Sequence, residues 1–236
     1  MKNLYEKWAG RPLNRETGED LLRLFTPVLV YAPIYLIWFI AIERHRFSHY
    51  AIIHTKLDDS IPFVEAFIIP YYMWFLYVSV TLLILMFSFE VEDYYKNFYF
   101  LATGMTIFLI ISTLFPNMHH LRPVVMPRDN IFTHLVQVIY ASDTPANLWP
   151  SIHVYNSIGS MIAIQRSRRF NRTAKIVGHI IGVSIILSTV FVKQHSVYDV
   201  ITAFIMATIF YYVFYHTSLM ENYCKKREER VAVRYN

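Results

Sequence analysis

Apolar residues in this chain come in blocks. Runs with little or no charge cover Leu24–Ile42, Ala66–Phe89, Asn97–Met118, Trp149–Gln165, Ile176–Val192 and Val200–Met220. A helix that crosses a bilayer takes about 17–25 residues, so each run is long enough to span. Trp149–Gln165 and Ile176–Val192 are at the short limit, and each carries one histidine. The blocks predict an all-α, polytopic membrane helix bundle of about six transmembrane helices. Residues 1–23 read as a cytoplasmic arm, 24–220 as the membrane domain and 221–236 as a basic tail. An interfacial helix through Leu4, Tyr5 and Trp8 is expected in the arm. Pro27 and Pro33 in the first span and Pro70 in the second mark positions where a helix bends.

The polar intervals are short, with two exceptions. Arg44–Pro62 reads as a polar external segment. Pro116–Leu148 is long for a bundle loop and carries an apolar stripe at Ile131, Leu135 and Val138, flanked by Phe132, Val136 and Ile139. That spacing predicts a short helix packed across one face of the bundle. Glu90, Glu92 and Asp93 are expected to face water in a tight turn. The link between the last two runs is confined to Lys193, Gln194 and His195.

Composition agrees with the blocks: 55% hydrophobic, 17% aromatic and only 17% charged, against roughly 25% charge in ordinary globular chains. The net charge of +5 would suit nucleic acid, but its distribution follows membrane topology instead. With the N-terminus inside, every basic residue except Arg44, Arg46, Lys56, Arg122, Arg128 and Lys193 falls on the cytoplasmic side. The positive-inside rule then puts both termini in the cytoplasm, and nucleic-acid binding is not needed to explain the charge. The basic stretch Gln165–Lys175 suits anionic lipid. A plasma-membrane, multi-pass protein is expected, with no cleaved signal peptide. Cys224, the one cysteine, excludes an intramolecular disulfide and any multi-cysteine metal site; beside a basic tail it suits palmitoylation or, more simply, an inert thiol.

Three polar clusters stand at the edges of apolar runs: His119-His120-Leu121-Arg122-Pro123, Pro150-Ser151-Ile152-His153 and His195-x-x-x-Asp199. The topology brings all three to the external side, so they are able to form one site. Pro150 suits a first helical turn. There the Ser151 hydroxyl and the free amides attract phosphate, and His153 is placed to donate a proton. His195 and Asp199, four apart, share a helix face. The carboxylate would fix the ring's tautomer and leave the other nitrogen as a nucleophile. Arg122 offers a planar fork to phosphate oxygens, with Arg128 and Lys193 as weaker candidates. Bland alternatives stand beside these readings: a satisfied polar residue for His153, an interfacial pair for His195 and Asp199, and headgroup contacts for the cations. His119 and His120 are ambiguous. Two other classes fit part of the pattern. A membrane metalloprotein would use His119, His120, His153, His195 and Asp199 as ligands for zinc or iron, but leaves Arg122 unexplained. A non-enzymatic transporter would need charges deep in several spans, and Glu65 is the one clear candidate.

In this order, Arg-Pro, Pro-Ser-x-His and His-x-x-x-Asp resemble the motifs of the type 2 phosphatidic acid phosphatase superfamily, over roughly residues 98–216. The family's usual pattern is Lys-x6-Arg-Pro, Pro-Ser-Gly-His and Ser-Arg-x5-His-x3-Asp. Arg122 and Pro123 match the first motif, Pro150, Ser151 and His153 the second, and Ser188, His195 and Asp199 the third. Phe115, Ile152 and Thr189 occupy the positions of the family's lysine, glycine and arginine. Pro-Ser-aliphatic-His is similar to the inositol-phosphorylceramide and sphingomyelin synthase-like branch. The resemblance implies a metal-independent, cofactor-free lipid phosphatase acting through a phosphohistidine, or a phosphotransferase that moves a phospho-headgroup to a lipid alcohol. In it His195 is the nucleophile, Asp199 orients it and His153 is the acid. Arg122, Ser151, Lys193 and Arg128 bind the phosphate of a lipid substrate, and Lys193 and Arg128 stand in for the absent cations.

Overall fold

The structure, a computed structural model, describes residues 6–7, 9–10, 12 and 14–235, the side chains of 228–235 excepted. The interfacial helix expected through Leu4, Tyr5 and Trp8 lies outside the described residues. Helix α1 is Arg15–Arg44, capped by Asn14, whose side chain accepts from the Thr17 amide. Its first turns therefore belong to the stretch read as an arm, and it continues through Pro27 and Pro33. After strand β1 (Ala51–Ile52) and the five-residue helix α2 (Lys56–Ser60), a 3-10 turn at Glu65–Phe67 leads into α3 (Ile68–Phe87). Pro70 falls in the first turn of α3, where its missing amide hydrogen costs the helix nothing. Next come α4 (Val91–Leu114), strand β2 (Asn117–Met118) and α5 (Ile131–Ser142). Then α6 (Ile152–Arg166), α7 (Arg172–Phe191), α8 (Val197–Tyr215) and α9 (Leu219–Tyr235) complete the order. The basic tail is thus helical, and Cys224 within it is buried against α1 and α4 residues such as Leu24 and Tyr95.

Among the described residues, five helices are long and apolar enough to cross a membrane: α1, α3 with its 3-10 turn, α4, α7 and α8. Helix α6, the fourth apolar run, has only 15 residues, or about 22 Å of rise against a hydrocarbon core of about 30 Å. The bundle turns large apolar side chains outward. Ile37 on α1 is 70% exposed and Leu76 on α3 is 69% exposed. Such a surface is costly in water and matched to lipid, and the chain is a membrane protein on these grounds.

Helix α6 lies at the centre, against α3, α4, α7 and α8. Close approach is built in by glycines. A Cβ at Gly104 of α4 would fall 2.1 Å from the Tyr155 ring, and one at Gly182 of α7 would fall 2.6 Å from Met161. Phe100 and Tyr155 stack with centroids 4.5 Å apart, and the Tyr155 hydroxyl donates to the Phe100 carbonyl. Helix α5 packs through Val136, Phe132, Leu135 and Ile139 onto Ile68, Tyr71 and Val192. Ile131 and Val138, part of the predicted stripe, point outward instead. The buried side of α5 is therefore rotated from the one expected.

The two polar intervals are more ordered than the sequence suggests. Strands β1 and β2 pair in parallel, Ala51 with Asn117 and Ile52 with Met118. At the opposite end of the bundle, Glu90 does not merely face water. Its carboxylate accepts from the Ser167 hydroxyl and the Arg168 amide, fastening the α3–α4 turn to the α6–α7 loop.

Candidate active site

The N-termini of α6 and α8 meet at one end of the bundle. Ser151 caps α6 by accepting from the Val154 amide, and the Ser151 amide donates to the Asp199 carbonyl. Pro150 precedes the cap, so it is not in the first turn as expected; the helix begins at Ile152 and His153 is its second residue. Ser151 is fully buried and its oxygen is occupied by the cap. That function explains a serine here without any ligand. Asn117 holds the approach to α6: its Oδ1 accepts from the Leu148 and Trp149 amides at 2.9 and 3.1 Å.

On α8 the N-cap is Ser196, whose hydroxyl accepts from the Tyr198 amide, and the Asp199 carboxylate returns the bond to the Ser196 amide at 3.0 Å. The same carboxylate oxygen accepts from His195 Nδ1 at 3.2 Å. On its other side, His195 Nε2 stands 3.3 Å from Nδ1 of His153. Because a carboxylate only accepts, the proton of neutral His195 lies on Nδ1 and its lone pair on Nε2, toward His153. His153 is clasped between Tyr71 and Trp74, with centroids at 4.7 and 4.4 Å. The three residues predicted to be catalytic are thus contiguous, His195 and Asp199 buried and His153 half-buried. Burial pushes the His195 imidazole down to about 3, helped by the positive charge of Arg122 and opposed by the Leu148 carbonyl. A ring held neutral in this way keeps its lone pair.

Arg122 is within electrostatic reach of His195, but much of its guanidinium is used by the protein. It donates to the carbonyls of Tyr140, Asp143 and Thr144 and, at 2.6 Å, to Gln194 Oε1. Its plane also covers the Tyr140 ring at 4.5 Å. These bonds tie the end of α5 to the residue before the predicted nucleophile. Arg122 Nε and Gln194 Nε2 are buried N–H donors without a protein partner among the described residues.

The other expected phosphate ligands are fasteners. Lys193 has a left-handed backbone, φ 53°, which costs a side-chain-bearing residue roughly 1–2 kcal/mol. Its ammonium donates to the carbonyls of Asp58 and Ile61 at 2.8 and 2.6 Å, and burial lowers its pKa. Arg128 forms a two-pronged pair with Glu65 at 2.5 Å, and Asn130 joins the same carboxylate. Among the described residues, no hydrogen bond or ion pair links either cation to the histidine pair.

His119 is a structural residue. It is 1% exposed, donates from Nε2 to the Gln194 carbonyl at 2.9 Å, and accepts the Leu121 amide at Nδ1. Burial holds it near 4, so it is neutral. His120 is exposed. Among the described residues, no three His, Cys, Asp or Glu side chains are grouped to hold a metal ion.

Sequence reasoning misses Asp58, because its segment reads as an external loop. It is 2% exposed and accepts from Ser196 Oγ, the Val197 amide, and the amide and hydroxyl of Thr55. Burial alone would raise its pKa; these bonds, led by Ser196, hold it below the ordinary carboxylate range. The capping pattern Thr55-x-x-Asp58 was the available signal. Gln194 was also missed, since a glutamine in a short loop carries no motif. In comparisons with known proteins, no family model, no curated protein and no solved structure matches this chain.

Proposed function

We propose that the chain is an integral-membrane, metal-independent lipid phosphatase acting through a phosphohistidine at His195. The observation that carries the reading is the His153–His195–Asp199 relay, with the His195 Nε2 lone pair 3.3 Å from a second imidazole and Asp199 on the far nitrogen. Ionisable groups held at the edge of a membrane bundle are costly to bury and are functional candidates by default. The substrate phosphate takes the place of the His153–His195 contact, with its oxygens toward Arg122 and the unpaired Gln194 Nε2.

In this account His153 becomes an imidazolium with the bound phosphate as counter-ion. His195 Nε2 attacks phosphorus, the bond to the leaving oxygen breaks, and His153 gives that oxygen its proton from Nδ1. Asp199 stabilises the positive ring of phospho-His195. Water then attacks phosphorus, surrenders a proton to neutral His153, and releases phosphate with the electron pair returning to Nε2. Electrostatic stabilisation at the non-bridging oxygens supplies the largest share of the acceleration. We further propose six spans with α6 as the short one, both termini cytoplasmic, and the site facing the outer side of the plasma membrane.

The test uses purified protein and a panel of lipid mono- and pyrophosphates in excess chelator, scoring released phosphate against headgroup transferred to diacylglycerol or ceramide. Release of phosphate by wild type and its loss in a folded His195→Gln variant is the expected result. Turnover retained by that variant contradicts the reading. Transfer to a lipid alcohol without free phosphate would make the chain a phosphotransferase with the same nucleophile.

A further inference from the structure

Helices α7 and α8 both pack along α6 and scarcely touch one another. Because α6 lies between them as a floor, a crevice opens outward toward lipid. Its hollow is about 450 Å³, lined by Ile158, Met161 and Ile162 of α6, Val183 and Ile186 of α7 and Phe204 of α8, among others. That volume is in the usual range for a small-molecule site, roughly 300–1,000 Å³. A second hollow of about 530 Å³ adjoins it, sharing Gln165 and His179 and adding Arg172 and Lys175. The first hollow also reaches Arg166. The two hollows are thus neighbours along α7, the first lined mainly by apolar side chains and the second bearing basic ones.

The groove lies away from the histidine pair. His153 is at the start of α6 and Arg166 at its end, about 20 Å apart along the axis. Among the described residues, Arg166, Arg172 and Lys175 are in no ion pair. Arg166 covers the Tyr215 ring at 5.3 Å and feels the charge of Asp93; Lys175 donates one hydrogen bond to the Gln165 carbonyl. Glu90, the other nearby carboxylate, is taken by Ser167 and the Arg168 amide. The mouth carries a surplus of positive charge directly beside an apolar trough.

We propose that this crevice is a binding site for an anionic phospholipid, one acyl chain lying between α7 and α8 and its phosphate at Arg166, Arg172, Lys175 and His179. An apolar groove alone would accept any lipid tail, and a basic loop alone would attract any anionic surface. Their junction selects a molecule with both parts, held by charge-assisted bonds at the headgroup. The site is independent of the phosphatase reading.

The experiment reconstitutes the full chain in nanodiscs of phosphatidylcholine, with or without a minor share of phosphatidylglycerol. It counts lipid retained on extraction into detergent by mass spectrometry and follows the melting temperature. Wild type should retain phosphatidylglycerol far above its share and melt higher in its presence. Lys175→Gln and Arg166→Gln should each lower retention about tenfold, the weight of one charge-assisted phosphate contact. Thr208→Trp, which fills the trough and leaves every charge in place, should lower it as much. Arg168→Gln, on the same loop but outside the groove, should change it little. Retention unaffected by Thr208→Trp, or lowered equally by Arg168→Gln, would overturn the site in favour of a diffuse basic surface. Equal stabilisation by inorganic phosphate in pure phosphatidylcholine would overturn the lipid as its ligand.

Discussion

Replacing Asp58 with Ala should both destabilise the protein and disable the proposed chemistry, although Asp58 belongs to none of the recognised motifs. The carboxylate accepts four hydrogen bonds, two of them at 2.7 Å from the start of α8: Ser196 Oγ and the Val197 amide. Removing it strands those two donors, at about 1–3 kcal/mol each for buried groups. It also removes the partner that fixes the α8 cap, at about 1 kcal/mol. The total is about 4 kcal/mol, or a fall in melting temperature of about 8–16 °C for a chain of this length. Asp58→Asn keeps one accepting oxygen and should lose about half as much. Ser196 is next to His195, so loss of its anchor lets the nucleophile drift, and a displacement near 1 Å costs about a hundredfold in rate. The assay pairs thermal melts in detergent with turnover of the lipid phosphate found by the substrate panel. An Asp58→Ala protein that melts within about 2 °C of wild type, less than 1 kcal/mol on the same scale, and turns over normally would refute the clasp.

His119 offers a pH test. Its folded pKa near 4 lies below the ordinary imidazole value. The unfolded chain therefore binds the extra proton between about pH 6.5 and 4, and stability present above that window is lost as pH falls through it. Wild type should lose up to about 1.4 kcal/mol per pH unit more than His119→Gln across the window; parallel melting curves would contradict a neutral buried His119. Arg128→Gln should leave turnover within about twofold of wild type, because the guanidinium is engaged with Glu65 on a half-exposed surface; a loss above tenfold would return Arg128 to the phosphate site. Gln194→Leu removes the unpaired Nε2 and the Arg122 partner at nearly constant volume. It should lower kcat/KM about a hundredfold if one donor stabilises the transition state, and an unchanged value would remove Gln194 from the site.

The apolar blocks were legible because a bilayer imposes a length, and every predicted span corresponds to a helix. The exception in kind is the fourth, whose first residues, Trp149 to Ser151, form the approach to α6 rather than part of it. The His195–Asp199 contact was legible from its spacing, but the two do not share a helix face: His195 stands before the Ser196 cap, and Asp199 reaches back to it from the first turn of α8. Its neighbour across the bundle, His153, needed topology as well. What escaped the sequence was long-range polar fastening. Asp58 reaches Ser196 across 138 residues and Arg122 reaches Gln194 across 72. No periodicity links such partners. Lys193 shows the same limit: a basic residue one turn from an absent arginine suggests replacement, while its left-handed backbone and two carbonyl partners are visible only in three dimensions.

The central claim is that His195 carries the phosphoryl group. The most direct measurement incubates the protein with a substrate labelled at phosphorus, quenches in alkaline denaturant and maps the label by peptide. The account predicts a label that is stable to alkali, released by acid, located on His195 and absent from His195→Gln. Turnover in which phosphate passes to the acceptor while His195 is never labelled, or label that persists in the same peptide of the His195→Gln variant, would contradict it.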